Sequence, residues 1–243
     1  MNGPAIAIAL ALLPGLLAAQ EPPRMFPELG ATPDLSPARF AAFAAFDSLL
    51  EATAPLTAEG QALLARYVDE IGEEWESPCD VVGMGCSWYC GGGPDTVLAS
   101  SSLPPEGTRR YDAVQAHDLD HCTAWSEGAG GPGIGERLIY RFAPDSPRLH
   151  TVCVSNGLVR SPELWRAYNR VKRLRMEENG AAVAELELAD TMDDQCFKLP
   201  RLFGRRTDGR PMELTFTILE VYAGERFDDT VITELWFDGI DVH

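Results

Sequence analysis

Positive charge is scarce in this chain. Lys and Arg total 20 against 37 Asp and Glu, a formal net charge of −17. Such a field repels nucleic-acid phosphates and anionic membrane surfaces, so neither is expected as a partner. Histidine is scarcer still, with only His117, His121, His150 and His243 in 243 residues. No Ser-His-Asp grouping is readable around them and no Gly-x-Ser-x-Gly elbow occurs, which leaves no basis for a serine hydrolase. His117 and His121 stand four apart, but the segment is not helical in pattern and no His-Glu-x-x-His is present, which argues against a zinc enzyme. No Gly-rich run ends in the Lys-Ser/Thr of a P-loop. No apolar run reaches the ~20 residues of a confident membrane span.

What is present is a globular composition. Residues of the apolar set make up 45% of the chain, enough to bury a core in one large or two small domains. The run "AIAIALALLPGLLAA" ends in small residues and reads as a secretory signal over residues 1–19, although Lys and Arg are missing ahead of it; an uncleaved anchor is the alternative. Six cysteines follow: Cys79, Cys86, Cys90, Cys122, Cys153 and Cys196. An even count in an exported chain implies disulfides, with the connectivity open. The competing reading, zinc held by Cys79, Cys86 and Cys90, lacks the tight Cys-x-x-Cys pairs of structural zinc sites.

Organisation follows from punctuation and periodicity. Residues 20–35 are proline-rich, lack periodicity and read as a linker. Residues 36–78 read as a helical hairpin. Ser36 and Thr57 are its candidate caps, and the apolar stripes run through Phe40, Phe43 and Phe46 and through Leu63, Leu64, Tyr67, Val68 and Ile71. Residues 79–96 form a Cys- and Gly-rich loop. From 97 to 243, eight short β-rich segments alternate with turns: 97–101, 136–142, 149–155, 171–177, 182–188, 195–199, 212–222 and 230–237. No long helix interrupts them. The expectation is a mostly β protein, an antiparallel β-sandwich with a short N-terminal helical hairpin.

Two neighbouring stretches carry chemistry. "AHDLDHCTAW" sets Asp118, Asp120 and Thr123 close together, oxygen donors of the kind a hard cation such as Ca²⁺ collects. The alternative is a turn with solvated aspartates, since the EF-hand pattern is absent. "AWSEGAGGPGIGERL" follows, with five glycines between Gly128 and Gly135. A phosphate cradle needs a helix after the glycines, whereas "RLIYRF" reads as a strand. The glycines therefore read as a tight turn feeding that strand. Glu127 and Glu136 either anchor the turn through backbone N–H groups or form an acid/base pair for glycoside hydrolysis; nothing else resembles a sugar-cleaving scaffold.

The blocks "TAWSEG…GIGE" and "YAG…DDTVITEL", with "VCVSNGLVRSPELWRAYNRVKRLRM" and "LADTMDDQCFKLP" between them, resemble a known family. It is the discoidin-like (F5/8 type C) galactose-binding fold, in the bacterial branch called the NADase-type glycan-binding, or NAD glycohydrolase translocation, domain. The likeness runs over about residues 97–240. It implies a jelly-roll sandwich with a ligand site in the loops at one end. It also implies a structural Ca²⁺ held by an Asp-Gly-Asp-x-x-Thr-x-Trp loop and a Glu on the last strand. The matching residues are Asp118, Asp120, Thr123, Trp125 and Glu234, with Leu119 in place of the middle glycine.

Sugar recognition needs an aromatic platform and planar polar groups. Trp165, Tyr168, Asn169 and Arg170 offer both and are the candidate ligand-binding residues, whereas Trp125, Trp236 and Tyr222 read as core. "FDDT", residues 227–230, reads as a turn. The leading expectation is an exported, non-catalytic module that binds a glycan or glycoprotein, with Ca²⁺ as its candidate cofactor. The alternative is a structural sandwich that docks onto a protein partner.

Overall fold

The computed structural model describes residues 21–71, 76–83 and 87–242. The signal reading for residues 1–19 lies outside them. Capping builds the N-terminal helices. Ser36 Oγ accepts from Arg39 N at 3.2 Å and Pro37 opens helix α1, Pro37–Leu50. Thr57 Oγ1 accepts from Gly60 N at 3.1 Å ahead of α2, Ala58–Ile71. The hairpin buries little. Phe46 meets Tyr67 edge-on at 5.8 Å, while Phe40 and Val68 of the expected stripes stay exposed.

All eight expected segments are strands, with ends shifted by at most four residues. In chain order the strands are β1 (Arg24–Met25), β2 (Glu28–Leu29), β3 (Thr96–Ala99), β4 (Trp125–Ser126), β5 (Arg137–Phe142), β6 (Leu149–Asn156), β7 (Asn169–Glu178), β8 (Ala181–Glu187), β9 (Gln195–Phe203), β10 (Met212–Tyr222) and β11 (Thr230–Gly239). A short helix α3, Pro162–Ala167, precedes β7 and is capped by Ser161. β1 and β2 fall in the stretch read as a linker. They pair with β8 and β9, so this segment belongs to the sheet.

Hydrogen bonding joins the strands in the order β2-β9-β6-β11-β7-β10-β5-β3, with β8 and β1 branching from β7 and β4 from β11. The path does not close. The pairing is not purely antiparallel, as expected, but mixed: β7 runs parallel to β11 and β1 parallel to β8. The reason lies in β7, whose first two residues pair with β11 before β8 takes up the same edge from Glu178 to Arg173. Three steps of about 4.8 Å separate β11 from β5 along the path. Yet the Phe237 ring lies 5.1 Å from Tyr140 and 5.3 Å from Phe142. Contact at that range requires the sheet to fold face to face, which makes it a sandwich.

The Cys/Gly loop helps to fill the core. Trp88 is 2% exposed, with its ring 6.3 Å from Phe142 and 6.4 Å from Phe237. Tyr89 Oη accepts from Phe237 N at 2.8 Å. A Cβ on Gly92 would sit 2.4 Å from the Trp88 ring, so glycine is required there.

Two disulfides are formed, Cys79–Cys122 and Cys153–Cys196. The first ties the Cys/Gly loop to the 118–123 segment. The second joins register partners on β6 and β9. Complete pairing was the expectation; instead Cys90 is exposed with no disulfide among the described residues, and Cys86 lies outside them. Cys79, Asp120 and Cys122 cluster closely enough for a metal, but the disulfide removes both thiolates, and with them the zinc reading.

A non-reducing peptide map should recover the 79–122 and 153–196 links. Replacing Cys79 and Cys122 together by Ser should lower unfolding stability by roughly 2–4 kcal/mol in a denaturant titration. A map linking Cys79 elsewhere would overturn the assignment.

Candidate functional site

β11 is buried from Thr230 through Phe237, and Glu234 sits in its middle, fully inaccessible. Glu234 Oε1 accepts from Asp120 N at 3.1 Å, while Oε2 has no partner. Burial first, and then the neighbouring Asp118 carboxyl, raise its pKa well above the usual carboxylate range. Asp118 is raised too, chiefly by burial. Asp118 accepts from Thr123 Oγ1 and from Gln115 Nε2, each at 2.9 Å. Asp120 turns back to accept from Cys122 N at 2.7 Å and so closes the loop.

Of the four expected metal residues, Asp118, Thr123 and Glu234 converge, while Asp120 spends one oxygen on the turn. The donors are all oxygens. A buried carboxylate oxygen without a partner is a large unpaid cost unless a proton or a cation meets it. This donor set suits a hard cation such as Ca²⁺. Leu119 takes φ +60°, the left-handed conformation a glycine would supply.

Around this loop the other readings resolve. Trp125 is core, its indole N–H donating to Ser101 O at 3.0 Å. Glu127 anchors the glycine turn by accepting from Ala129 N at 2.7 Å and Thr230 N at 3.2 Å. Gly133, at φ +65°, packs its α-carbon against Glu127, where a Cβ would come within 2.5 Å of Cγ. Glu136 accepts from the hydroxyls of Ser100 and Ser101. His117 packs half-buried among Tyr89, Tyr140 and Phe237, and the resulting desolvation lowers its pKa to about 4 and keeps it neutral. His121, Ser155 and Asp194 meet, but Nε2 of one imidazole faces both partners, and Ser155 is fully buried. A triad needs its carboxylate on the other ring nitrogen, so this is a structural brace.

Of the expected ligand-binding set, Asn169 and Arg170 are buried, while Trp165 and Tyr168 are half-buried. Asn169 is 1% exposed, donating to Asp228 O at 2.7 Å and accepting from Gly224 N at 2.6 Å. Arg170 grips Asp190 with two N–H groups and donates to the carbonyls of Tyr168 and Ala223. Its guanidinium lies over the Trp165 ring, whose N–H donates to Asn156 O at 2.9 Å. These polar groups are consumed in holding α3 and the start of β7. Tyr168 lines an open surface, stacked on Phe227 at 4.6 Å.

That surface is a groove at the loop end. Its apolar half, about 310 Å³, is lined by Leu103, Pro104, Pro105, Tyr111, Leu158, Tyr168 and Val231, with Glu106, Ala124 and Ser126. Ser126 Oγ is buried and unpartnered. Across Tyr111 and Tyr168 lies a more polar hollow of about 450 Å³, reached by Arg109, Arg110, Gln115, Thr123 and Arg160. Gln115 and Thr123 are the residues that hold Asp118, so groove and carboxylate pair share a wall. The sequence reading missed Tyr111, Leu158 and the arginines. "TRRYD" carries an aromatic beside two arginines, but nothing local marks it as facing Tyr168.

An open, mostly β sandwich with a groove in its loops defines a module of the discoidin-like, F5/8 type C class. The particular family is shown by sequence. The model of the NAD glycohydrolase translocation F5/8 type C domain matches residues 88–238, more than half of the chain, and the chain belongs to that family. No curated protein matches it. Similar solved structures include the CBM32-1 and CBM32-2 domains of Clostridium perfringens ZmpB in complex with GalNAc, 13% identical with a TM-score of 0.44. That match covers 61% of this chain and 33% of the ZmpB chain, so the chain spans about a third of that structure. The Streptococcus pyogenes NAD⁺-glycohydrolase translocation domain is 27% identical with a TM-score of 0.31, over 48% of this chain and 98% of that one. At these TM-scores neither superposition bears on function.

Arg170→Ala should lower stability by about 2–3 kcal/mol in chemical denaturation, because it strips a nearly buried guanidinium from a partly exposed Asp190 and two carbonyls. Unchanged stability with a loss of ligand affinity would restore Arg170 to the binding set. Leu119→Gly should be more stable than Leu119→Ala by about 0.5–1 kcal/mol, since both lose the side chain and only glycine relieves the positive φ. Equal stability of the two variants would refute strain at Leu119.

Proposed function

We propose that this protein is an exported binding module that recognises carbohydrate in the loop-end groove, with Ca²⁺ as a structural cofactor at Asp118, Thr123 and Glu234. The groove carries the reading. Tyr111 and Tyr168 offer ring faces of the kind that cover the apolar side of a sugar. Gln115 and Thr123 add polar groups beside them. Volumes of about 310 and 450 Å³ suit one or a few sugar rings. Ca²⁺ would supply charge compensation for two facing carboxylates and fix the loop that bears Thr123. Export is supported by two disulfides, which persist in oxidising compartments. No helix among the described residues is long and apolar enough to cross a membrane.

A protein-docking module is the second reading, favoured by the apolar half of the groove, where Pro104, Pro105 and Leu158 would equally suit a partner's side chain.

A glycan array, probed with residues 20–243 in Ca²⁺ and again in EDTA, separates the two. A defined set of bound glycans, lost in Tyr168→Ala, is the expected result; a blank array in both conditions would shift the assignment to protein docking. In parallel, Ca²⁺ at a hundredfold excess over its dissociation constant should stabilise the fold by about 2.7 kcal/mol. Melting curves that do not differ between EDTA and millimolar Ca²⁺ would remove the cation from the proposal.

A further inference from the structure

The polar half of the groove holds more positive charge than a neutral sugar needs. Arg109 and Arg160 are exposed, line this hollow from two different segments, and have no carboxylate within ion-pairing distance among the described residues. Arg110 beside them meets only the exposed Asp112, at 3.1 Å, a weak surface pair. Many other arginines are ion-paired, among them Arg141 with Glu213, Arg148 with Asp241, Arg170 with Asp190, and Arg173 with Glu220, while Arg137 and Arg210 are exposed single guanidiniums that share no hollow with another. In a chain with 37 acidic residues, two unpaired guanidiniums in one hollow are not explained by the fold. The acidic groups facing this end are Glu106, which lines the apolar half, Asp229, whose charge acts on Tyr168, Asp112, paired with Arg110, and Asp118, held by Gln115 and Thr123 of the hollow's wall. None of them forms an ion pair with Arg109 or Arg160.

We infer that the groove's ligand is an anionic carbohydrate, whose uronate carboxylate or sulfate ester is held by Arg109 and Arg160 while Tyr111 and Tyr168 receive a ring face. The inference rests on the reading of the groove as a carbohydrate site. Guanidinium is suited to both anions because its planar fork donates two parallel N–H bonds to two oxygens. The strongly acidic remainder of the molecule would repel such a ligand anywhere else, so the same charge distribution that draws it to the groove also restricts it to the groove.

Calorimetric titration of the chain tests this with three oligosaccharides of equal length: a neutral galactan, an oligogalacturonate and a sulfated galactan. At least one anionic probe should bind about tenfold tighter than the neutral one, and tighter at low than at high ionic strength. Arg109→Ala with Arg160→Ala should abolish that difference and leave the melting temperature unchanged; the Lys pair should restore part of the preference. Which anionic probe retains the preference identifies carboxylate or sulfate as the source. Equal or tighter neutral binding would overturn the inference while leaving the carbohydrate site intact. An anionic preference that survives the double variant but falls on removing Arg205 and Arg206, in the turn after β9, would place the anion outside the groove and overturn it too. If no probe binds, or if Tyr168→Ala leaves all binding intact, the carbohydrate reading of the groove falls and takes the inference with it.

Discussion

A carboxylate lies inside the sandwich, and much of the loop end follows from it. Burying Glu234 in the middle of β11 costs free energy that the strand's own ladder cannot return, because backbone partners are taken up by β6, β7 and β4. One oxygen is answered by the Asp120 N–H, and the other faces Asp118. To bring those groups to the strand, the 117–123 segment must cross β11. His117 fixes one end of that crossing by donating toward the Leu235 carbonyl at 2.7 Å, and the Cys79–Cys122 disulfide fixes the other. The left-handed Leu119 is the backbone consequence of so tight a turn.

The groove inherits its wall from the same crossing. Thr123 and Gln115 hold Asp118 and also line the polar hollow. Ala124 and Ser126 continue the chain into the apolar half. A change of charge at the Asp118–Glu234 pair therefore acts on the groove through two hydrogen bonds rather than through a long path. On the opposite bank, Arg170 and Asn169 spend their polar groups holding α3, the 223–228 turn and the start of β7 together. They were plausible sugar ligands by residue type. Their burial makes them the frame that sets Tyr168 at the surface.

The same division explains which readings of the sequence hold. Strand positions were legible because alternation and turn residues act locally, and the helix caps Ser36 and Thr57 act within one turn. The Asp118–Thr123 loop was legible because its donors are adjacent. The two strands in the proline-rich stretch, β1 and β2, were not, since two-residue pairings have no period to detect. Nor was the choice of disulfide partners, because partners are chosen by distance in the fold: Cys153 and Cys196 stand opposite each other across β6 and β9, while Cys90 is exposed with no disulfide among the described residues.

By itself the sequence determined a mostly β chain with a helical preface, an acidic surface, an oxygen-rich loop before a glycine turn, and a family likeness over the C-terminal part. Local sterics, period-two burial and residue chemistry suffice for these. Only the tertiary structure decided that the sheet is mixed and folded on itself, that Glu234 meets Asp118, and that Tyr111 and Tyr168 face one groove with Arg109 and Arg160. Those outcomes depend on segments separated by tens of residues meeting in space. Long-range pairing and burial select such meetings, and no local pattern encodes them.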